Sequence, residues 1–168
     1  MANELPQLFG APKTLAITPT WAELDSESLE VVCPLEVDGI VVEGFQFRMT
    51  AKKRLPDEII MAQVEYHPPT ETVGPLARIE WRPVSTHNNK GRGPLEWQNK
   101  IIRGCHYHRF DLNFNQAEQR MLVRNLPLAV PLNDSPATYS ELIVFVGKEF
   151  RIGNMRLVAE PQWEPVLI

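Results

Sequence analysis

Along residues 29–50 apolar and polar positions alternate with a period of two. Leu29, Val31, Cys33, Leu35 and Val37 form one series, interleaved with Glu30, Val32, Pro34 and Glu36; after Asp38-Gly39, Phe45, Phe47 and Met49 alternate with Gln46, Arg48 and Thr50. Successive strand residues point to opposite faces, and Asp-Gly suits a tight turn that needs positive φ. The pattern predicts a hairpin whose first strand lies at a sheet edge or bulges at Pro34, because proline cannot donate to a ladder. Residues 51–57 read as a polar turn. Residues 59–66 and 77–81 repeat the alternation, with Ala77, Ile79 and Trp81 inward and Arg78, Glu80 and Arg82 outward. A further strand is expected over residues 105–114. It puts His106, His108, Phe110, Leu112 and Phe114 on one face, and Cys105, Tyr107, Arg109, Asp111 and Asn113 on the other.

The C-terminal third changes period. Asn115 and Glu118 have capping-box spacing, which predicts a short helix to about residue 124. Pro127 and Pro131 end it. Asp134-Ser135-Pro136 resembles a helix start, and Leu142, Ile143, Phe145, Val146 and Phe150 supply an apolar stripe. Gly153 is the expected stop, and residues 155–158 a last short strand. Strands followed by helices predict an α+β fold. The expected architecture is an antiparallel β-meander of about five strands, with one main C-terminal helix and one short helix packed on one face. One domain is expected over residues 1–168, with an irregular N-terminal arm at 1–25 and a long polar loop at 84–104.

Composition refines this picture. A chain of 168 residues buries enough surface to fold without a staple. Fifteen Pro against nine Gly favour short elements with rigid connections. Cys33 and Cys105 make no paired-cysteine pattern, so no disulfide framework or zinc ribbon is indicated. Residues 1–21 have no apolar run like a signal peptide, and no stretch reaches the length of a membrane span. A cytoplasmic location without membrane contact is the expectation.

Net charge is −4, unevenly spread. Residues 78–124 hold nine Lys or Arg against four Asp or Glu, leaving eight against seventeen elsewhere. An acidic body with a local basic excess disfavours extended duplex binding and leaves room for a smaller anionic site.

The chemistry-bearing stretch is His106-Tyr107-His108. Residues two apart on a strand are roughly 6.5–7 Å apart, so both imidazoles can reach one ligand. Imidazole exchanges protons near neutral pH, and two can serve as general acid and base. His106 and His108, with Tyr107 as auxiliary, are the candidate catalytic residues. Arg109, Arg103, His87, Lys90, Arg92 and Trp97 are the candidate substrate-binding residues. This set suits metal-independent cleavage of an RNA phosphodiester, with no cofactor. The alternation also puts the pair on the apolar side, where framework histidines occur. A metal site is the second chemical reading. His-x-His supplies two ligands and zinc needs more; His67 and His87 are the remaining histidines, and no His-Glu-x-x-His motif is present. Phosphate-loop and nucleophile-elbow motifs are absent.

Phe45-Gln46-Phe47-Arg48, Ala77-Arg78-Ile79-Glu80-Trp81, His87-Asn88-Asn89 and His106-Tyr107-His108 follow one another in an order that resembles the small bacterial toxins of the TumE type. The resemblance covers residues 29–113; the C-terminal helical region lies beyond it. It implies a toxin–antitoxin setting of bacterial or phage type, action on RNA, and a protein partner such as an antitoxin. The rival expectations are a non-catalytic interaction or inhibitor module that uses Trp97, and a metal-dependent small-molecule enzyme.

Overall fold

The structure, a computed structural model, describes residues 5–70, 73–91, 93–122 and 125–164. Helix α1 (Leu5–Gly10) and strands β1 (Thr14–Leu15) and β2 (Ala22–Glu23) precede the predicted hairpin of β3 (Ser28–Val37) and β4 (Ile40–Lys52). Strands β5 (Ile60–Tyr66), β6 (Gly74–Trp81), β7 (His87–Asn88), β8 (Ile101–Ile102) and β9 (His106–His108) follow. A single helical turn, α2 (Phe110–Asn113), leads into β10 (Phe114–Asn115) and β11 (Arg120–Met121), then β12 (Val130–Pro131) and α3 (Tyr139–Phe150).

The fold is α+β. Its main antiparallel sheet has eight strands in the order β1-β3-β4-β5-β6-β9-β12, with β2 also pairing β3. That exceeds the predicted five, because two-residue strands leave no periodic trace in a sequence. Asp38 and Gly39 both have positive φ, as the hairpin turn requires. The register shifts between Pro34 and Glu36, the bulge expected from proline.

Cross-strand rows define two faces. On one, Val31, Met49, Ala62, Ile79 and Tyr107 lie side by side. Helix α3 covers this face with Leu142, Ile143, Val146 and Phe150, all buried in one continuous core. On the other face Glu30, Thr50, Met61, Glu80 and His106 form one row, and Arg48, Gln63, Arg78 and His108 the next.

Several expectations are corrected. The sheet runs on through Lys52, so residues 51–57 are only partly a turn. The arm at 1–25 carries α1, β1 and β2, with Leu5, Lys13 and Leu15 buried. No helix follows Asn115. Its side chain does accept the Ala117 and Glu118 amides, but the chain turns back and pairs as β10 and β11; the cap formed without an apolar stripe to carry a helix onward. Helix α3 starts at Tyr139 rather than residue 134, because Thr138 is the residue whose hydroxyl accepts the Glu141 amide. It ends at Arg151, whose left-handed backbone does what was expected of Gly153. Residues Met155–Leu157 form a 3-10 turn, not a strand. No helix among the described residues is long and apolar enough to cross a membrane.

Candidate metal centre

The expected strand over residues 105–114 stops at His108, where α2 begins. Phe110, Leu112 and Phe114 are therefore not in phase with the histidines. Register settles the faces: Ile79 pairs with Tyr107, Glu80 with His106 and Arg78 with His108. The apolar side of β9 is Tyr107, whose ring meets Phe150 with centroids 6.1 Å apart. His106 and His108 lie on the opposite, polar face beside Glu80 and Arg78. The expectation that they share the apolar face is overturned.

That face is roofed at its β6–β9 end by β7, β8 and residues 125–130. The expected polar loop at 84–104 is organised. Strands β7 and β8 pair His87 with Ile102 and Asn88 with Ile101. Asn89 is 1 % exposed and works as a false strand residue: its side chain donates to the Ala129 carbonyl at 2.8 Å and accepts the Ala129 amide at 2.9 Å. Asn113 grips Leu128 in the same way, at 2.9 Å for both bonds. The amide side chain copies a peptide edge, so the segment gains pairing where it lacks a neighbouring strand.

Under this roof three imidazoles converge. One ligand atom from each of His87, His106 and His108 lies within 4.8 Å of the others. Ring centroids are 4.6 Å apart for His87 and His108, and 5.1 Å for His106 and His108. His106 is 1 % exposed and His108 0 %.

Their outer nitrogens are anchored. His106 Nδ1 lies 2.8 Å from the Gly104 carbonyl and His108 Nδ1 lies 2.7 Å from the Leu126 carbonyl. A carbonyl only accepts, so each Nδ1 carries the proton and each neutral ring turns a bare Nε2 inward. His87 Nε2 binds the Pro127 carbonyl at 2.9 Å, which leaves Nδ1 available. Asn125 and Leu126 hold left-handed backbone, φ 53° and 59°. That strain, outside glycine, is kept where it aims a carbonyl at His108.

Glu80 completes the cluster. Its Oε2 is 3.4 Å from His106 Nε2 and its Oε1 is 3.4 Å from His108 Nε2. Arg78 Nε is 3.0 Å from Glu80 Oε1, and Arg78 Nη2 is 3.4 Å from His108 Nε2. His106 Nε2 is buried without a hydrogen-bond partner. Burial pushes the His108 imidazolium down to about 4 and lowers His106 as well. Burial alone would raise Glu80; His108, whenever its Nε2 carries a proton, and the Arg78 guanidinium beside the carboxyl outweigh this and hold it well below the usual carboxylate range. The Glu80 carboxylate is charged, and the His106 and His108 imidazoles are neutral. These are the protonation states of metal ligands.

The remaining sequence candidates lie elsewhere. Tyr107 belongs to the α3 core, where burial raises its phenol. Arg109 is on the surface, paired with Asp111 at 2.8 Å. Lys90 and Arg103 are exposed on or beside the roof, and Trp97 is half-buried there. Arg92 lies outside the described residues. His87, expected among the substrate-binding residues, is brought fully into the cluster. Glu80 was not singled out as a site residue. Its signal was present in the outward alternation of Arg78 and Glu80, which registers with His108 and His106.

No protein-family model matches the chain, and neither a curated protein nor a solved structure does.

Proposed function

We propose that this protein binds a divalent transition metal, zinc foremost, through His87, His106, His108 and Glu80. The observation that carries the reading is the partnerless, buried Nε2 of His106, aimed at a carboxylate and two further imidazoles. A buried polar atom left without a partner costs about 1–3 kcal/mol, and a cation among four donors removes that cost. Three nitrogens and one carboxylate are a donor set zinc accepts. The main-chain carbonyls on the outer nitrogens of His106 and His108 are the second-shell arrangement that orients metal-binding imidazoles. The reading carries a cytoplasmic location with it, which the unpaired Cys33 and Cys105 suit.

The test is elemental analysis of untagged protein purified without chelator, beside a His106→Ala/His108→Ala variant. One metal per chain in the first and none in the second is expected. Absence of metal in both, after exposure to zinc and dialysis, ends the proposal.

Action on RNA is the second reading, supported by the exposed Lys90, Lys100 and Arg103 on or beside the roof. As metal-independent cleavage it asks His106 and His108 to touch the substrate, and the roof stands in the way. RNA incubated with the protein, with and without chelator, separates the two: chelator-insensitive cleavage favours the acid–base route.

A further inference from the structure

Alternation along β9 turns Tyr107 away from the histidines and toward α3. There it lines a cleft of about 640 Å³ on the α3 side of the sheet, built without any residue of the metal cluster. Phe9, Phe110 and Phe145 line the same cleft. Phe9 and Phe110 are stacked, with centroids 4.7 Å apart. Pro131, also in the wall, belongs to β12, the last strand of the sheet. Proline has no amide to offer a further strand, so the sheet ends at the cleft. A volume of this size suits a small organic molecule, and aromatic walls suit its apolar part.

The polar groups of the cleft select a positive charge. Arg109 and Asp111 satisfy each other through two bonds, at 3.0 and 2.8 Å. Glu149, and Asp134 on the loop before α3, have no ion-pair partner among the described residues. Glu149 stands one turn beyond Phe145 on α3, so the carboxylate and the ring share a helix face. Tyr107 points the same way. It is 7 % exposed, and its hydroxyl has no hydrogen-bond partner among the described residues. Burial first, and then the field of the Glu149 carboxylate, push the phenol up. The hydroxyl therefore keeps its proton, stands within reach of the cleft's acidic wall, and has oxygen lone pairs to spare. We infer that this cleft binds a small primary ammonium carried on an apolar body, with the charge held by Glu149 and the Tyr107 oxygen and the apolar part against Phe9, Phe110 and Phe145. The ring faces attract the same charge that the carboxylates do. A bare metal ion would leave the aromatic walls unused, and an anion would meet two uncompensated carboxylates.

The test is a titration of the full chain with phenethylammonium, followed by the backbone amide signals in heteronuclear NMR. Phenethyl alcohol and 3-phenylpropionate, the neutral and anionic counterparts of similar shape, form the parallel arms. Saturable shifts at Tyr107, Phe145 and Glu149 are expected, with the ammonium about tenfold tighter than either counterpart. Glu149→Gln should weaken the ammonium about tenfold and Tyr107→Phe about fivefold, while the alcohol binds both variants as it binds the parent. Glu149 is half-buried and Tyr107→Phe keeps the ring that meets Phe150, and the unchanged amide spectrum of each variant verifies its fold. Three results overturn the inference: no saturable shift at the cleft with the ammonium, equal or tighter binding of the alcohol or the propionate, or a folded variant of either residue that binds the ammonium like the parent.

Discussion

Glu80 Oε2 and His106 Nε2 face each other at 3.4 Å across the β6–β9 pair, a carboxylate opposite a bare ring nitrogen. Two acceptors at that separation repel unless a proton or a cation lies between them. The His106 proton is already committed to Gly104. A ligand that binds the folded state alone stabilises it by about 2.7 kcal/mol at a hundred times its dissociation constant. For a chain of this size that is a rise in melting temperature of roughly 5–10 °C. Calorimetry with and without zinc should show it, and His106→Gln should remove most of it.

Arg78 is the native cation nearest the cluster, ion-paired with Glu80 at 3.0 Å and 3.4 Å from His108 Nε2. It competes electrostatically with any metal there. Arg78→Gln should therefore tighten zinc, about tenfold, in competition against a chromophoric chelator. If the imidazoles served only to frame the Arg78–Glu80 pair, the same variant would lose stability and gain no metal affinity.

Asn89 joins the roof to residue 129 through buried hydrogen bonds. Asn89→Ala strands an amide and a carbonyl, at about 2–4 kcal/mol in total. Urea unfolding should register that loss. Because His87 lies two residues away on the same roof, zinc affinity should fall with it.

Lys13 is buried between the ends of α1 and α3, donating to the Phe9 and Phe150 carbonyls at 2.8 Å. Burial, with Arg151 nearby, pushes its ammonium down to about 8. The unfolded chain holds that proton up to about pH 10.4. Between those values the unfolded state binds more protons, so stability rises with pH. Measured against Lys13→Met, the parent should gain on the order of 2 kcal/mol from pH 8 to pH 10. A flat difference would show that the ammonium is not held below its ordinary range.

What the sequence reveals depends on how far each signal reaches. The β3–β4 hairpin was legible because alternation and an Asp-Gly turn are local and agree. The α3 stripe was legible for the same reason, although its first turn was not: three capping residues lie within five positions, and only packing selects Thr138. The face of His106 and His108 was misread because alternation was carried past His108 into α2, which is too short to leave a helical period. The role of Glu80 depended on strand register, which no single segment encodes. His87 could be placed only once Asn89 and Asn113 had fixed the roof, through bonds that imitate a backbone and have no sequence period.

All four donors of the cluster fall between Glu80 and His108, although the sheet around them draws on most of the chain. The closures that gather them are local in sequence, and closure cost grows only slowly with loop length. During synthesis β3, β4 and β5 have already emerged before the first donor, and α3 has not. A cation could thus knit the β6–β9 edge together while the hydrophobic face still awaits its helix, so metal supply would influence the yield of folded chain as well as the properties of the finished protein.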